Sequence, residues 1–67
     1  MTTTLADAYP QEQARLRELL DAYREIGPAG AFGHAAISDV LRRADEAAAQ
    51  QDVVAMLRVF QEMKECQ

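Results

Sequence analysis

Apolar residues recur at spacings of three and four along three separate stretches of the chain. This period is typical of amphipathic helices that bury one face. The first stripe consists of Leu16, Leu19, Leu20, Tyr23 and Ile26, and the second of Ile37, Val40, Leu41, Ala44, Ala47 and Ala48. The third consists of Val53, Met56, Leu57, Phe60 and Met63. The pattern therefore predicts an all-α fold, a small three-helix domain built on a helical hairpin.

Proline and capping residues set the predicted boundaries of the outer helices. Pro10 suits the first turn of a helix, because its missing N–H needs no partner there. Tyr9 lies one heptad before Leu16 and can extend the first stripe. Asp52 is a favourable N-cap for the third helix, whose last residues are expected to fray. The chain is thus predicted as a single domain over 1–67, with a lead-in over 1–9, helix 1 over 10–26, an apolar turn over 27–33, helix 2 over 34–49 and helix 3 over 53–65.

All the glycines of the chain lie in the predicted turn. Gly27 follows the last apolar position of helix 1, where a positive φ is often required, and Pro28 cannot continue that helix. If Gly33 caps helix 2, Phe32 can pack against Ile37 as a hydrophobic staple. The alternative is that Phe32 is an exposed anchor for a partner.

The size of the chain limits its core. A chain of 67 residues buries only about 60 % of the surface of its unfolded state. Small domains usually rely on disulfides, a metal or a second subunit. Cys66 is the only cysteine and His34 the only histidine, which is too few for an internal disulfide or a four-ligand zinc site. We therefore expect a homodimer.

The charge balance disfavours several kinds of partner. Seven basic and eleven acidic residues give a net charge of −4, and the basic residues form no stripe that could follow a nucleic acid backbone. No apolar run approaches the roughly 20 residues of a membrane span. The first residues have neither the basic end nor the apolar run of a signal peptide. We expect a cytoplasmic protein that meets a basic surface of another protein.

The sequence predicts no enzyme, metal site or cofactor. No serine, cysteine or carboxylate is placed beside His34, and the turn glycines match neither a P-loop nor a dinucleotide fingerprint. The acidic residues of helix 2 alternate with Arg42 and Arg43, which is typical of solvated ion pairs rather than a metal site. The candidates for a partner-binding surface are Tyr23, Phe32, Asp39, Arg42, Arg43 and Glu46.

The chain resembles small early proteins of Mu-like Pseudomonas phages, and in particular the phage anti-activators of quorum sensing, over the segments YPQEQARLRELLDAYREIGPAGAFG and ISDVLRRADEAAAQQDVVAMLRVFQEMKEC. The resemblance implies a helical homodimer that binds the DNA-binding domain of a LuxR-type regulator, the quorum-sensing activator LasR, and blocks its DNA binding. It also implies inhibition of the pilus-assembly ATPase. Two alternatives remain open. One is another phage anti-host or anti-defence protein, such as a nuclease-complex inhibitor or a nucleotide-signal sponge, and the other is a phage assembly adaptor.

Overall fold

The computed structural model describes residues 4–67, which form three α-helices joined by short connections. α1 spans Leu5–Ile26, α2 spans Ala31–Ala49 and α3 spans Val53–Glu65, and a 3₁₀ helix over Gly27–Gly30 joins α1 to α2. No β-strand occurs between residues 4 and 67, so the predicted all-α class is confirmed. None of these helices is long and apolar enough to cross a membrane. The part of the predicted lead-in over residues 1–3 lies outside the described residues.

α1 begins five residues before its predicted start at Pro10. Thr4 is the N-cap, and its Oγ1 accepts a hydrogen bond from the backbone N–H of Asp7 at 3.2 Å. Tyr9 is buried, and its hydroxyl donates to the carbonyl oxygen of Ala44 at 2.7 Å. Pro10 removes one helical hydrogen bond, but it lies on the exposed side, where water can bind the free carbonyl group. The cap and the buried tyrosine outweigh this loss, which corrects the predicted boundary.

The turn is shorter than predicted, because its last three residues belong to α2. Gly27 has a φ of +80°, so the predicted positive φ is confirmed. Gly33 does not cap α2 but lies in its first turn, where an added Cβ would come within 2.6 Å of the ring of Tyr23. Phe32 is 88 % exposed, so the predicted staple against Ile37 does not form.

The core lies where the three helices meet. Its buried residues are Tyr9, Leu16, Ile37, Leu41, Ala44, Ala47, Val59 and Met63. The predicted apolar faces of helices 1 and 2 supply most of them, although Ile26, at the end of the first stripe, is 58 % exposed. Leu16 and Met63 are the largest fully buried side chains, so α1 and α3 contribute the centre of the core.

α3 is rotated relative to its predicted apolar face. Val59 and Met63 are 3 % and 0 % exposed, whereas Val53 and Leu57, both predicted to be inward, are 59 % and 50 % exposed. α3 packs against both α1 and α2. The buried side of α3 is the one that faces the groove between α1 and α2. That side need not be the one with the most apolar residues. The predicted inward face of helix 3 is therefore wrong at two positions.

Side chains fix both ends of α3. Asp52 is the N-cap as predicted, and its Oδ1 accepts from the backbone N–H of Ala55 at 3.1 Å. At the other end, the Arg15 guanidinium donates to the carbonyl oxygens of Met63 at 2.5 Å and Cys66 at 2.8 Å. The sequence pattern places Arg15 on the polar face of α1 and gives no sign of this link. The end of the chain is therefore attached to α1, contrary to the predicted fraying.

Candidate functional site

Most of the predicted binding residues lie along one exposed face of α2, which we call the outer face of α2 and define by Phe32, Asp39, Arg42, Arg43 and Glu46. These residues follow one another at helical spacing on the side opposite to the buried positions of α2. From its first to its last residue the face extends over about 21 Å, at 1.5 Å per residue. It has an apolar end at the turn and a charged end near the start of α3.

The charged end of this face is held together by two arginines. Arg42 donates to Asp39 at 2.9 Å and to Glu46 at 3.3 Å. Arg43 donates to Asp39 at 3.1 Å and, through two nitrogens, to both carboxylate oxygens of Glu62 on α3 at 2.6 and 2.8 Å. The sequence predicts pairs of Asp39 with Arg43 and of Arg42 with Glu46, four residues apart, and the structure confirms both. The two-pronged link to Glu62 orders the Arg43 side chain, because a planar guanidinium matches a carboxylate at two points.

The arginine partners favour the charged forms of Asp39 and Glu62. Hydrogen bonds from Arg42 and then Arg43 hold the pKa of Asp39 below its ordinary value. The hydrogen bond from Arg43 likewise lowers the pKa of Glu62, against a smaller opposing effect of burial. Three carboxylates and two guanidiniums leave the cluster with one net negative charge. A partner would therefore meet a fixed array of alternating charges with an acidic excess.

Replacing Glu62 by glutamine is expected to lower the free energy of unfolding slightly at neutral pH. It should also make that free energy depend less on pH in the acidic range. Because the pKa of Glu62 in the folded chain lies below 4.5, its pairing stabilises the fold above that value and is lost as the pH falls through the lowered pKa. The pair is partly exposed, so the effect should be small. Urea denaturation from about pH 7 to about pH 3 measures it. With the exposed Glu65→Gln variant as control, an equal pH dependence in both variants would contradict the assignment.

The apolar end of the outer face is formed by Phe32. Its side chain is 88 % exposed, the largest exposure among the large apolar residues that the structure describes. Ile26, which is 58 % exposed, lies just before the 3₁₀ helix that leads to Phe32, and Pro28 and Ala29 between them are also exposed. The apolar residues of the turn therefore form an uncovered corner of the molecule rather than part of the core.

Tyr23 does not belong to the outer face of α2. Its ring lies against Gly33, and its hydroxyl donates to the carbonyl oxygen of Gln67 at 2.7 Å. The side chain is only partly exposed and joins α1 to the first turn of α2 and to the end of the chain. Tyr23 is therefore placed as a structural residue, apart from the other five candidates.

The remaining chemistry-bearing residues do not converge on a site. His34 is partly buried, with its Nε2 buried without a hydrogen-bond partner within residues 4–67. Its Nδ1 lies 3.5 Å from the Ser38 hydroxyl oxygen, so the expectation that no serine lies beside His34 was wrong, because Ser38 is one helical turn further along α2. Burial raises the pKa of the Cys66 thiol, which favours the neutral, unreactive form. Across the part of the chain that the structure describes, no group of three or more His, Cys, Asp or Glu side chains is arranged to hold a metal ion.

Comparison with protein families, curated proteins and solved structures finds no match to this chain. The functional proposal therefore depends on the arrangement of the chain's own residues and on the resemblance stated above. Glu62 is the member of the charged cluster that sequence reasoning missed. It lies on a different helix from Arg43, and no spacing rule connects residues on separate helices.

Proposed function

We propose that this chain is a non-enzymatic inhibitor that covers the DNA-binding surface of a transcription regulator with the outer face of α2. The observation that carries the proposal is the 88 % exposure of Phe32 at one end of a face whose other end is an ordered array of charges. An apolar anchor beside oriented polar groups is the usual composition of a protein-binding surface.

The exposed phenylalanine supports a binding role because it contributes little to the fold. Burying such a side chain is worth about 1.5–3 kcal/mol, and the isolated chain gains almost none of this for Phe32. A pocket on a partner would recover it. Arginine is also enriched at the centres of interfaces, and Arg42 and Arg43 are already held in defined positions by their carboxylate partners. Less side-chain entropy is then lost on binding.

The charge of the chain favours a basic partner. Its net charge is −4, and the ion-pair cluster formed by the outer face of α2 with Glu62 of α3 has an acidic excess of one. The DNA-binding surface of a regulator is basic, because it must neutralise phosphates. Opposite charges steer such an encounter and speed association at low salt. The resemblance to phage anti-activators of quorum sensing indicates LasR, in the cytoplasm of the bacterial host, as the regulator to test.

We further propose that the inhibitor acts as a homodimer. Within residues 4–67 the core contains eight buried apolar residues, of which two are alanines that bury little area. A second copy would extend this small core, as in many domains of this size. Dimer formation would also place two outer faces of α2 on one inhibitor and so raise its apparent affinity for a target that presents two binding surfaces.

Replacing Phe32 by alanine is expected to weaken binding of the regulator at least about tenfold, because a central aromatic anchor is typically worth more than 1 kcal/mol. The measurement is a gel shift in which this protein is titrated into purified LasR bound to its promoter DNA. The wild-type chain should remove the shifted band near equimolar amounts. The control is Gln11→Ala, which truncates an exposed side chain of α1 that does not belong to the outer face of α2.

Charge reversal supplies the second arm of this test. Lysine at both Asp39 and Glu46 should slow association most strongly at low salt while leaving helicity unchanged, because both side chains are exposed. If LasR stays on its promoter at a large excess of inhibitor, LasR is not the target. A tagged chain should then be used to capture its partner. Another host protein would indicate a different anti-host role, and phage proteins alone would indicate an assembly adaptor.

A further inference from the structure

One side of α3 carries an apolar stripe that the fold covers only in part. Val53 and Leu57 are 59 % and 50 % exposed. Phe60, three residues further on, is partly exposed, with its ring stacked on that of Tyr9 at 6.3 Å between centroids. Lys64 continues the row, with its Nζ 5.6 Å from the centre of the Phe60 ring. Spacings of four, three and four are the pattern of a helix-to-helix seam. We call Val53, Leu57, Phe60 and Lys64 the α3 stripe.

The α3 stripe borders an open groove against the first turns of α1. The groove has a volume of about 390 Å³ and is lined by Thr4, Leu5, Ala8, Leu57, Phe60, Gln61 and Lys64. Lys64 is the one charged residue among them, although charged residues make up 27 % of the chain. Depletion of charge at an exposed apolar surface is typical of the centre of an interface between subunits.

We propose that two copies of this chain pack antiparallel through the α3 stripe, with apolar side chains of each copy entering the groove of the other. The proposal rests on the homodimer proposed above and names its interface. The contact has two-fold symmetry. If a residue of the first copy contacts a given position of the second, the same residue of the second copy contacts that position of the first. The outer face of α2 lies on a different helix and stays available to a regulator.

The charges at the ends of the α3 stripe favour the antiparallel direction. Asp52 precedes the stripe and is exposed, and Lys64 ends it. In an antiparallel pair, Lys64 of each copy lies beside Asp52 of the other, so both ends form opposite-charge contacts. A parallel pair would place lysine beside lysine and aspartate beside aspartate. One direction is therefore attractive at both ends and the other repulsive.

The shape of the monomer also favours a second copy. Its Cα radius of gyration is 12.4 Å, whereas a compact chain of this length has about 11 Å. The chain is therefore more extended than an average compact domain of its length. A second copy packed on α3 would cover the side that the first copy leaves exposed.

The proposed contact between two copies is small, so we expect the dimer to have a low affinity. α3 is about 20 Å long and its exposed side about 10 Å wide. This is about 200 Å² in projection, so even with the groove the contact is well below the about 800 Å² per partner of a standard specific interface. We therefore expect a weak dimer that dissociates at high micromolar concentration or above, rather than a permanent one. Its mass by sedimentation should rise from about one to about two times 7.4 kDa as concentration increases.

The interface is tested by lysine substitutions at neighbouring positions of α3. Val53 and Val54 are 59 % and 60 % exposed, and both lie in the first turn of α3, so lysine has the same effect on helix stability at either position. Only Val53 belongs to the α3 stripe. Sedimentation should show that Val53→Lys raises the dissociation constant of the dimer about tenfold and Leu57→Lys about a hundredfold. Val54→Lys should change it little. Circular dichroism confirms that each variant is folded, and Val53→Lys keeps the test valid if Leu57→Lys unfolds.

The direction of packing is tested by Lys64→Gln. In the antiparallel dimer this change removes the attraction between Lys64 and Asp52 of the other copy at both ends, so the dissociation constant should increase. In a parallel dimer it would remove repulsion between two lysines, so tighter association would overturn the proposed direction. Equal effects of Val53→Lys and Val54→Lys, or a wild-type chain that stays monomeric at all concentrations, would overturn the interface. None of these measurements contains a regulator, so they are independent of the gel shift with LasR.

Discussion

Replacing Leu16 by alanine is expected to cost about 2–5 kcal/mol of unfolding free energy, because it removes a fully enclosed side chain and leaves a cavity. Leu16 is 0 % exposed and lies in the middle of α1, facing the core that α2 and α3 complete. A domain of this length has a total stability of about 3–10 kcal/mol at 0.05–0.15 kcal/mol per residue. The Leu16→Ala chain should therefore be mostly unfolded near 37 °C or have a greatly reduced melting temperature.

Leu57→Ala is the matched control for this prediction. It makes the same chemical change, but Leu57 is 50 % exposed, so the unfolding free energy should fall by less than about 1 kcal/mol. Urea denaturation followed by circular dichroism, at a concentration where the chain is monomeric, compares the two variants. Equal losses would mean that α3 is rotated toward its sequence-predicted face, with Leu57 inside.

Replacing Gly30 by alanine has the second-largest expected effect. A Cβ at Gly30 would overlap the carbonyl oxygen of Tyr23 and lie 3.3 Å from the Cβ of Ile26. Backbone atoms of α1 cannot move aside as a flexible side chain can, so the 3₁₀ helix and the last turn of α1 must separate. Overpacking of this kind typically costs about 1–3 kcal/mol. Thermal unfolding should therefore show a melting temperature lower by about 5–20 °C, at 4–8 °C per kcal/mol.

Gly33→Ala provides the comparison for Gly30→Ala. The added Cβ at Gly33 meets the ring of Tyr23, which can rotate, rather than a backbone atom. Gly33 also lies inside α2, where alanine gains about 1 kcal/mol in helix propensity over glycine. The loss should thus be clearly smaller than for Gly30→Ala. A larger loss at Gly33 would show that the Tyr23 ring, rather than the backbone contact at Gly30, fixes the angle between α1 and α2.

The sequence was sufficient to predict the number of helices and the inner face of α2. Those features depend on local signals, such as the apolar period from Ile37 to Ala48 and the Asp52 cap. The rotation of α3 depends instead on two neighbouring helices, and its own apolar period indicated a different side. To predict the start of α1, the cost of Pro10 would have to be compared with the burial of Tyr9. The hydrogen-bond partner of Tyr9, Ala44, lies 35 residues away in the sequence.

The candidate binding surface was also predictable only where it depends on local spacing within one helix. Pairing of Arg42 and Arg43 with Asp39 follows from helical spacing, and the structure confirms it. The exposure of Phe32 was one of two alternatives, because a phenylalanine before a predicted cap suits a staple equally well. The residue at which α2 begins decided between the exposed and the packed position of Phe32. The contact of Arg43 with Glu62 on α3 could not be predicted, since it depends on how two helices lie side by side.

The link between Arg15 and the end of α3 bears on how the chain unfolds. Arg15 reaches Cys66 across 51 positions of sequence, and Tyr23 reaches Gln67 across 44. Both bonds join α1 to the residues that follow α3. Because α3 cannot leave the bundle without breaking them and exposing Met63, its detachment is coupled to loss of the packing around α1. The three helices are thereby joined into one cooperative unit, and we expect them to unfold together.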